Sequence, residues 1–174
     1  PPQDPWFAGE PVSYYYFGYL IMGGVAHITG IAPSVAYNLS LAFVPALTAI
    51  GAFGISSNLV RLNGGNLKAA VPTGIVAVFL LMGISNLESA LEFLRSSGFA
   101  SSRFWEWINI KGLDGPLTSD KWYPTELGWW WWRATRIIDT MENGVSLDYT
   151  ITEFPFFSFL LGDLHPHVMS IPFL

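Results

Sequence analysis

Residues 34–60 read SVAYNLSLAFVPALTAIGAFGISSNLV, without one Asp, Glu, Lys or Arg. The uncharged run reaches back to Pro11, so fifty consecutive residues, Pro11 to Val60, carry no charged side chain. No soluble fold of 174 residues needs such a stretch, whereas a helical membrane span needs about 20 apolar residues. Ser34, after Pro33, is placed to cap the helix, and Arg61 lies just beyond its end. The chain therefore reads as a membrane protein of all-α class.

Composition agrees. Hydrophobic residues make up 51% and charged ones 12%, with a mean hydropathy of +0.39. A soluble domain carries about twice that charge. The net charge of −5 and the lack of any Lys/Arg cluster argue against a nucleic-acid partner. The absence of Cys excludes disulfides and thiolate metal sites. The first residues have no signal-peptide pattern. The chain starts without Met and stops inside an apolar run, so it is expected to be a fragment of a larger multi-pass protein of the cell membrane.

Four apolar segments organise the rest. Residues 34–60 and 69–94 are expected to be transmembrane helices, the second bounded by Lys68 and running past Glu88. Pro45 and Pro72 are tolerable inside such helices, and Ala42 with Ala46 offers a small-residue face for packing. An Asn38-Leu39-Ser40 sequon falls within a span and is discounted. Arg61 and Lys68 are the only basic residues between the apolar segments, which places their loop in the cytoplasm. The loop 1–13 and the connection 95–152 then lie outside. Residues 14–31 begin and end on that outer side, as a juxtamembrane helix at the interface, where Tyr and Phe favour the headgroup level. A true span is the other reading of that segment. The outer connection is rich in Trp, and 129–141 is expected to form a short interfacial helix with Arg133 and Arg136 on one face. Residues 153–174 hold a site loop and the start of a further span.

The chemistry gathers at few places. Between Phe154 and Leu174 the only charged or imidazole side chains are Asp163, His165 and His167. A carboxylate beside hydrocarbon costs several kcal/mol unless paired, hydrated or bound to a cation. Pro166 disfavours helix at His165 and favours an extended turn, in which all three point the same way. One carboxylate and two imidazoles suit a divalent cation such as Mn²⁺, Mg²⁺ or Zn²⁺. The competing reading is a helix cap by Asp163. Asp4 and Glu10 form an acidic site in the Pro-rich N-terminal loop, with either turn chemistry or a role as general base or metal ligand. Arg133 and Arg136 suit a phosphate at headgroup level, or plain snorkelling to lipid. His27 reads as a structural histidine, and Glu88 with Glu92 as a solvated helix face.

Three motifs carry a resemblance: Pro2-x-Asp4-Pro5-Trp6-Phe7-Ala8-Gly9-Glu10, then Tyr14-Tyr15-Tyr16-Phe17-Gly18-Tyr19, then the run from Glu153 through Asp163-Leu164-His165-Pro166-His167. They resemble the "YYY" multi-pass membrane proteins of Chloroflexi and archaea, a domain of unknown function. More distantly, the layout is similar to integral-membrane glycosyltransferases of the GT-C type, with Asp4 at the position of their outer-loop acid and 14–31 at that of their juxtamembrane helix. No second acid follows Asp4 directly, which departs from that pattern. The resemblance implies transfer of a sugar from a polyprenyl-phosphate donor to an acceptor at the outer face of the lipid bilayer. Asp4 and Glu10, with Asp163 and His165, would be catalytic. Arg133, Arg136, Tyr14, Tyr15, Tyr16 and Glu153 would bind substrate, and Asp163, His165 and His167 would hold any metal. The rival classes are a transporter or export scaffold, and a metallohydrolase built on the Asp-x-His-x-His cluster.

Overall fold

A computed structural model describes residues 2–110, 112–113, 119–125 and 131–174. The chain divides into two compact units, Pro1–Met82 with Ser158–Leu174, and Gly83–Phe157.

The first unit begins with a small hairpin in which Gln3 bridges Pro11. Helix α1, Phe17–Thr29, follows Tyr14 to Tyr16 rather than including them. At 1.5 Å per residue its 13 residues reach about 20 Å, short of the roughly 30 Å of a hydrocarbon core. Helix α2, Pro33–Leu62, has 30 residues and a length of about 45 Å, enough to span with tilt. It starts two residues earlier than the Ser34 cap implies, with Ala32 at the cap: Pro33 occupies the first turn, where a missing N–H costs nothing, and no side chain caps it. Helix α3, Leu67–Phe79, runs on through a π-helical turn, Leu80–Ile84. Pro33–Leu62 and Leu67–Ile84 are the two helices among the described residues long and apolar enough to cross a membrane.

A tight turn folds α3 back onto α2, with the Asn66 side chain accepting from Ala69 N at 3.1 Å. The seam between the helices runs through Gly74, whose missing side chain leaves room for Phe53 and Ser57. Ser57 Oγ donates across the seam to Ala70 O at 3.1 Å. The small-residue face expected at Ala42 and Ala46 is exposed instead, and α2 buries Ser40, Val44 and Thr48.

The second unit departs from the all-α expectation. The helix expected over 69–94 ends at Ile84: Ser85 adopts φ +56°, and Asn86 Oδ1 accepts from Glu88 N at 3.1 Å, starting a separate helix α4, Glu88–Ser96. Helix α5, Ser102–Ile108, follows, and the Trp105 indole donates to Phe99 O at 3.0 Å. The helix expected over 129–141 is absent from its described part. Arg133–Thr135 is a single 3₁₀ turn, and Ile138–Glu142 is strand β1, paired antiparallel with β2, Val145–Thr150. Asn143 at φ +52° and Gly144 at φ +80° form the tight turn between them, a geometry that matches strand twist and that Asn-Gly adopts at little cost. Trp129 and Trp130 lie outside the described residues. Ala134, Phe154 and Phe157 form a core flanked by Trp131 and Phe156. Helices α6, Pro155–Leu161, and α7, Pro166–Ser170, complete the chain.

Filling the seam tests the hairpin of α2 and α3. Gly74→Leu should lower stability by about 1–3 kcal/mol, as overpacking does, whereas Gly54→Leu, at an open position, should leave it nearly unchanged. Denaturant titration of the full-length protein in micelles checks this.

Candidate functional site

The Asp163–His167 segment is shaped by the residues between its polar ones. Helix α6 closes at Gly162, φ +71°, with Asp163 N donating to Ser158 O at 3.0 Å. The chain then runs extended through His165, φ −59° and ψ 148°, as the residue before a proline prefers, and Pro166 opens α7. Alternation in this extended stretch sends Leu164 inward and Asp163 with His165 to the other side. Leu164, Val168 and Met169 bury against Val44 of α2, with Met22, Leu41 and Phe159 around them. The Tyr37 hydroxyl lies 3.4 Å from Gly162 O, a long and weak donor contact to the same turn.

On the polar side Asp163 Oδ2 and His165 Nδ1 are 2.5 Å apart. Asp163 thus holds the neighbouring imidazole and does not cap α7. His167 stands beside them, its ring centroid 5.3 Å from that of His165, and its Nε2 is 3.4 Å from Oγ of the fully buried Ser158. Each side chain of the Asp163–His165 pair is about one-third exposed, so the pair is sheltered yet reachable. Burial, and then the Asp163 charge, raise the Tyr19 phenol above its usual value of 10.0 and keep it a hydrogen-bond donor.

Two cavities flank α1. One of about 510 Å³ is lined by Tyr19, His27, Tyr37, Ser40 and Leu164 among others. The second, of about 750 Å³, is more apolar and is lined by Tyr14, Tyr15, Tyr16 and Phe17 facing Pro166 and Met169. Both fall in the size range of small-molecule sites. Asp4 sits in the N-terminal hairpin, where Oδ1 accepts from Trp6 N at 2.7 Å and Phe7 N at 3.1 Å, while its own N–H donates to Glu10 O at 2.9 Å. That is turn chemistry. No hydrogen bond or ion pair among the described residues links Asp4 or Glu10 to the histidine cluster.

The arginines and the remaining acids belong to the second unit. Arg133 Nη1 lies 2.9 Å from Glu92 Oε1, with both side chains largely buried. Arg136 lies over the Trp132 ring, 4.0 Å from its centroid, and donates to Thr135 Oγ1. They do not share a helical face, because the chain leaves its 3₁₀ turn between them. Glu153 is half-buried ahead of Phe154. Glu88 and Glu92 are not a solvated face: they are 2% and 5% exposed. Burial, and then the Glu92 carboxyl beside it, push Glu88 from 4.5 up to about 8, with Arg133 pulling the other way.

With this geometry in place, the chain can be set against known proteins. The family described as uncharacterized membrane protein, DUF2298, matches residues 1–174, the entire chain. The chain belongs to DUF2298. No curated protein and no solved structure matches it.

Membrane residence is therefore a family property, in keeping with the two apolar helices. In this DUF2298 chain the Asp163 carboxylate on one ring nitrogen fixes the tautomer and orientation of the His165 imidazole. A divalent cation asks for several ligands converging on one point. Among the described residues no group of three or more His, Asp or Glu is so arranged, and Asp163 and His165 turn their facing atoms to each other. Sequence reading missed Ser158, Tyr19 and Tyr37. A serine in a phenylalanine run and tyrosines in an apolar helix signal nothing until the chain folds them beside the cluster.

Gly162 is the hinge on which the orientation of Asp163 rests. A Cβ there would have space, its nearest neighbour being Leu41 Cδ1 at 3.8 Å, so the cost of Gly162→Ala comes from φ alone. That substitution should destabilise the protein by about 1–2 kcal/mol, whereas Gly23→Ala, in open space within α1, should be neutral or mildly stabilising. Thermal unfolding in detergent measures both.

Proposed function

We propose that this DUF2298 protein is a membrane-boundary transferase that moves a sugar from a polyprenyl-phosphate donor to an acceptor hydroxyl at the outer face, with His165 as general base and Asp163 as its orienting partner. The observation that carries this reading is the Asp163–His165 hydrogen bond, held in an extended turn beside two aromatic cavities. His165 takes the proton of the acceptor hydroxyl as its oxygen attacks the anomeric carbon. The bond from that carbon to the phosphate oxygen breaks, and the phosphate leaves with the electron pair. Base assistance of this kind is worth about 10²–10⁴-fold in rate.

The larger cavity, with Tyr14, Tyr15 and Phe17 against Met169 and Phe173, offers an apolar surface suited to an isoprenoid chain. In this reading Asp4 is a structural residue of the hairpin that precedes α1, since its Oδ1 is committed to two backbone amides. Arg133 is committed to Glu92 and is not assigned to the donor phosphate. Multi-pass placement in the cell membrane, with the Arg61–Lys68 loop inside, belongs to the same proposal.

The test uses the full-length protein in nanodiscs, offered a panel of polyprenyl-phosphate sugars, with donor binding and consumption measured separately. His165→Ala should cut turnover by about 10²–10⁴-fold with donor binding retained, and Asp163→Asn should do the same by freeing the ring to adopt the wrong tautomer. Turnover that survives both substitutions removes the dyad from the mechanism. A wild-type protein that neither binds nor consumes any donor sinks the transferase reading.

A further inference from the structure

The deepest ionisable groups in the described structure are outside the histidine cluster. Glu88 and Glu92 are one turn apart on α4 and turn their carboxyls together in the interior of the second unit. Arg133, from the 3₁₀ turn, faces them with Nη1 2.9 Å from Glu92 Oε1. Among the described residues no hydrogen-bond donor meets either oxygen of Glu88. Among the described residues two carboxylates face one guanidinium here, and a low-dielectric interior disfavours the net negative charge. The same arrangement with a proton on Glu88 is neutral overall, because that proton can be donated to Glu92 while Glu92 pairs with Arg133.

The surroundings show what the charge state would move. Asn86, beside α4, reaches Ala134 O at 3.5 Å, and Arg95 at the other end of α4 donates to Gly112 O at 2.8 Å. Gly112 in turn packs closely on the Arg133 guanidinium. Ala134 and Thr135, beside Arg133, are fully buried and uncharged. Among the described residues the charged groups acting on Glu88 are therefore Glu92 from its own helix and Arg133 from the 3₁₀ turn. Arg95 is directed to a backbone carbonyl.

We infer that Glu88 and Glu92 form a proton-binding site whose occupancy latches α4 to the Arg133–Thr135 turn. With the proton bound, Arg133 neutralises Glu92 and the latch is closed. When Glu88 ionises, its charge repels Glu92 and competes for the Arg133 guanidinium, and the two segments separate more easily. The direction follows from linkage: a carboxyl raised from 4.5 to about 8 in the folded state stabilises it fully below 4.5, and that contribution fades above it and is gone once pH has risen through about 8. The latch is independent of the transferase reading, since it uses none of the residues assigned to that chemistry except Arg133, which that reading excludes from the phosphate.

Hydrogen exchange on the full-length protein in nanodiscs tests it, followed in peptides covering α4 and the Arg133–Thr135 turn. Relative to Glu88→Gln, which mimics the protonated carboxyl, wild-type protection should fall by up to about tenfold per pH unit between 4.5 and about 8, and level off above that. Peptides of α2 should show no such difference. Glu92→Gln should flatten the dependence as well, because an ionised Glu88 then inherits Arg133. Parallel pH profiles for the wild type and both variants overturn the proposal, as does a wild-type loss that α2 shares equally. Should Glu88→Gln fail to fold, the Glu92→Gln comparison decides alone.

Discussion

A backbone amide in hydrocarbon has no water to bond to, and everything in this chain follows from that constraint. The apolar residues of α2 and α3 have to satisfy their N–H and C=O groups internally, and helix is the solution open to a single segment. Once α2 and α3 are helices joined by a short turn, they lie against one another, and no hydrophobic drive separates protein from lipid along their lengths. Close approach therefore decides the seam, which is why glycine stands at 74 and Ser57 donates across it.

The same economy shapes the candidate site. An extended stretch of three residues, bounded by Gly162 and Pro166, alternates its side chains. Leu164 enters the core beside Val44, and that burial is what holds Asp163 and His165 on the opposite side, in contact with each other. The polar pair needs no scaffold of its own, since the apolar residue between them supplies it. Tyr19 on α1 feels the Asp163 charge, and Ser158 on α6 meets His167.

In the second unit an interior ion pair does what hydrophobic packing does elsewhere. Arg133 ties the turn after the tryptophan run to α4, and it lies forty-one positions from Glu92 in the chain. Carboxylates at i and i+4 read as a water-facing stripe because nothing nearby in sequence neutralises them. The tryptophan run misleads in a similar way. Residues 129–141 have helical spacing of arginines, yet Asn143-Gly144 just beyond them favours a two-residue hairpin turn, and Ile138–Glu142 pairs with Val145–Thr150 instead. Asn143-Gly144 carries that turn signal in the sequence itself, whereas the arginine spacing alone favours helix.

Membrane residence, the two long helices and the extended turn at His165 were all legible in the residues, because composition, run length and proline act locally. The family match agrees with the first of these. Which nitrogen of His165 meets Asp163, which serine supports His167 and which way Glu88 and Glu92 face could not be read that way. Each depends on a partner brought close by folding: within a turn for Asp163, from the neighbouring helix for Ser158, and from far along the chain for Arg133. A charged side chain carries no mark of its own burial. Its environment is made by the residues that pack over it, and those are set by the tertiary fold.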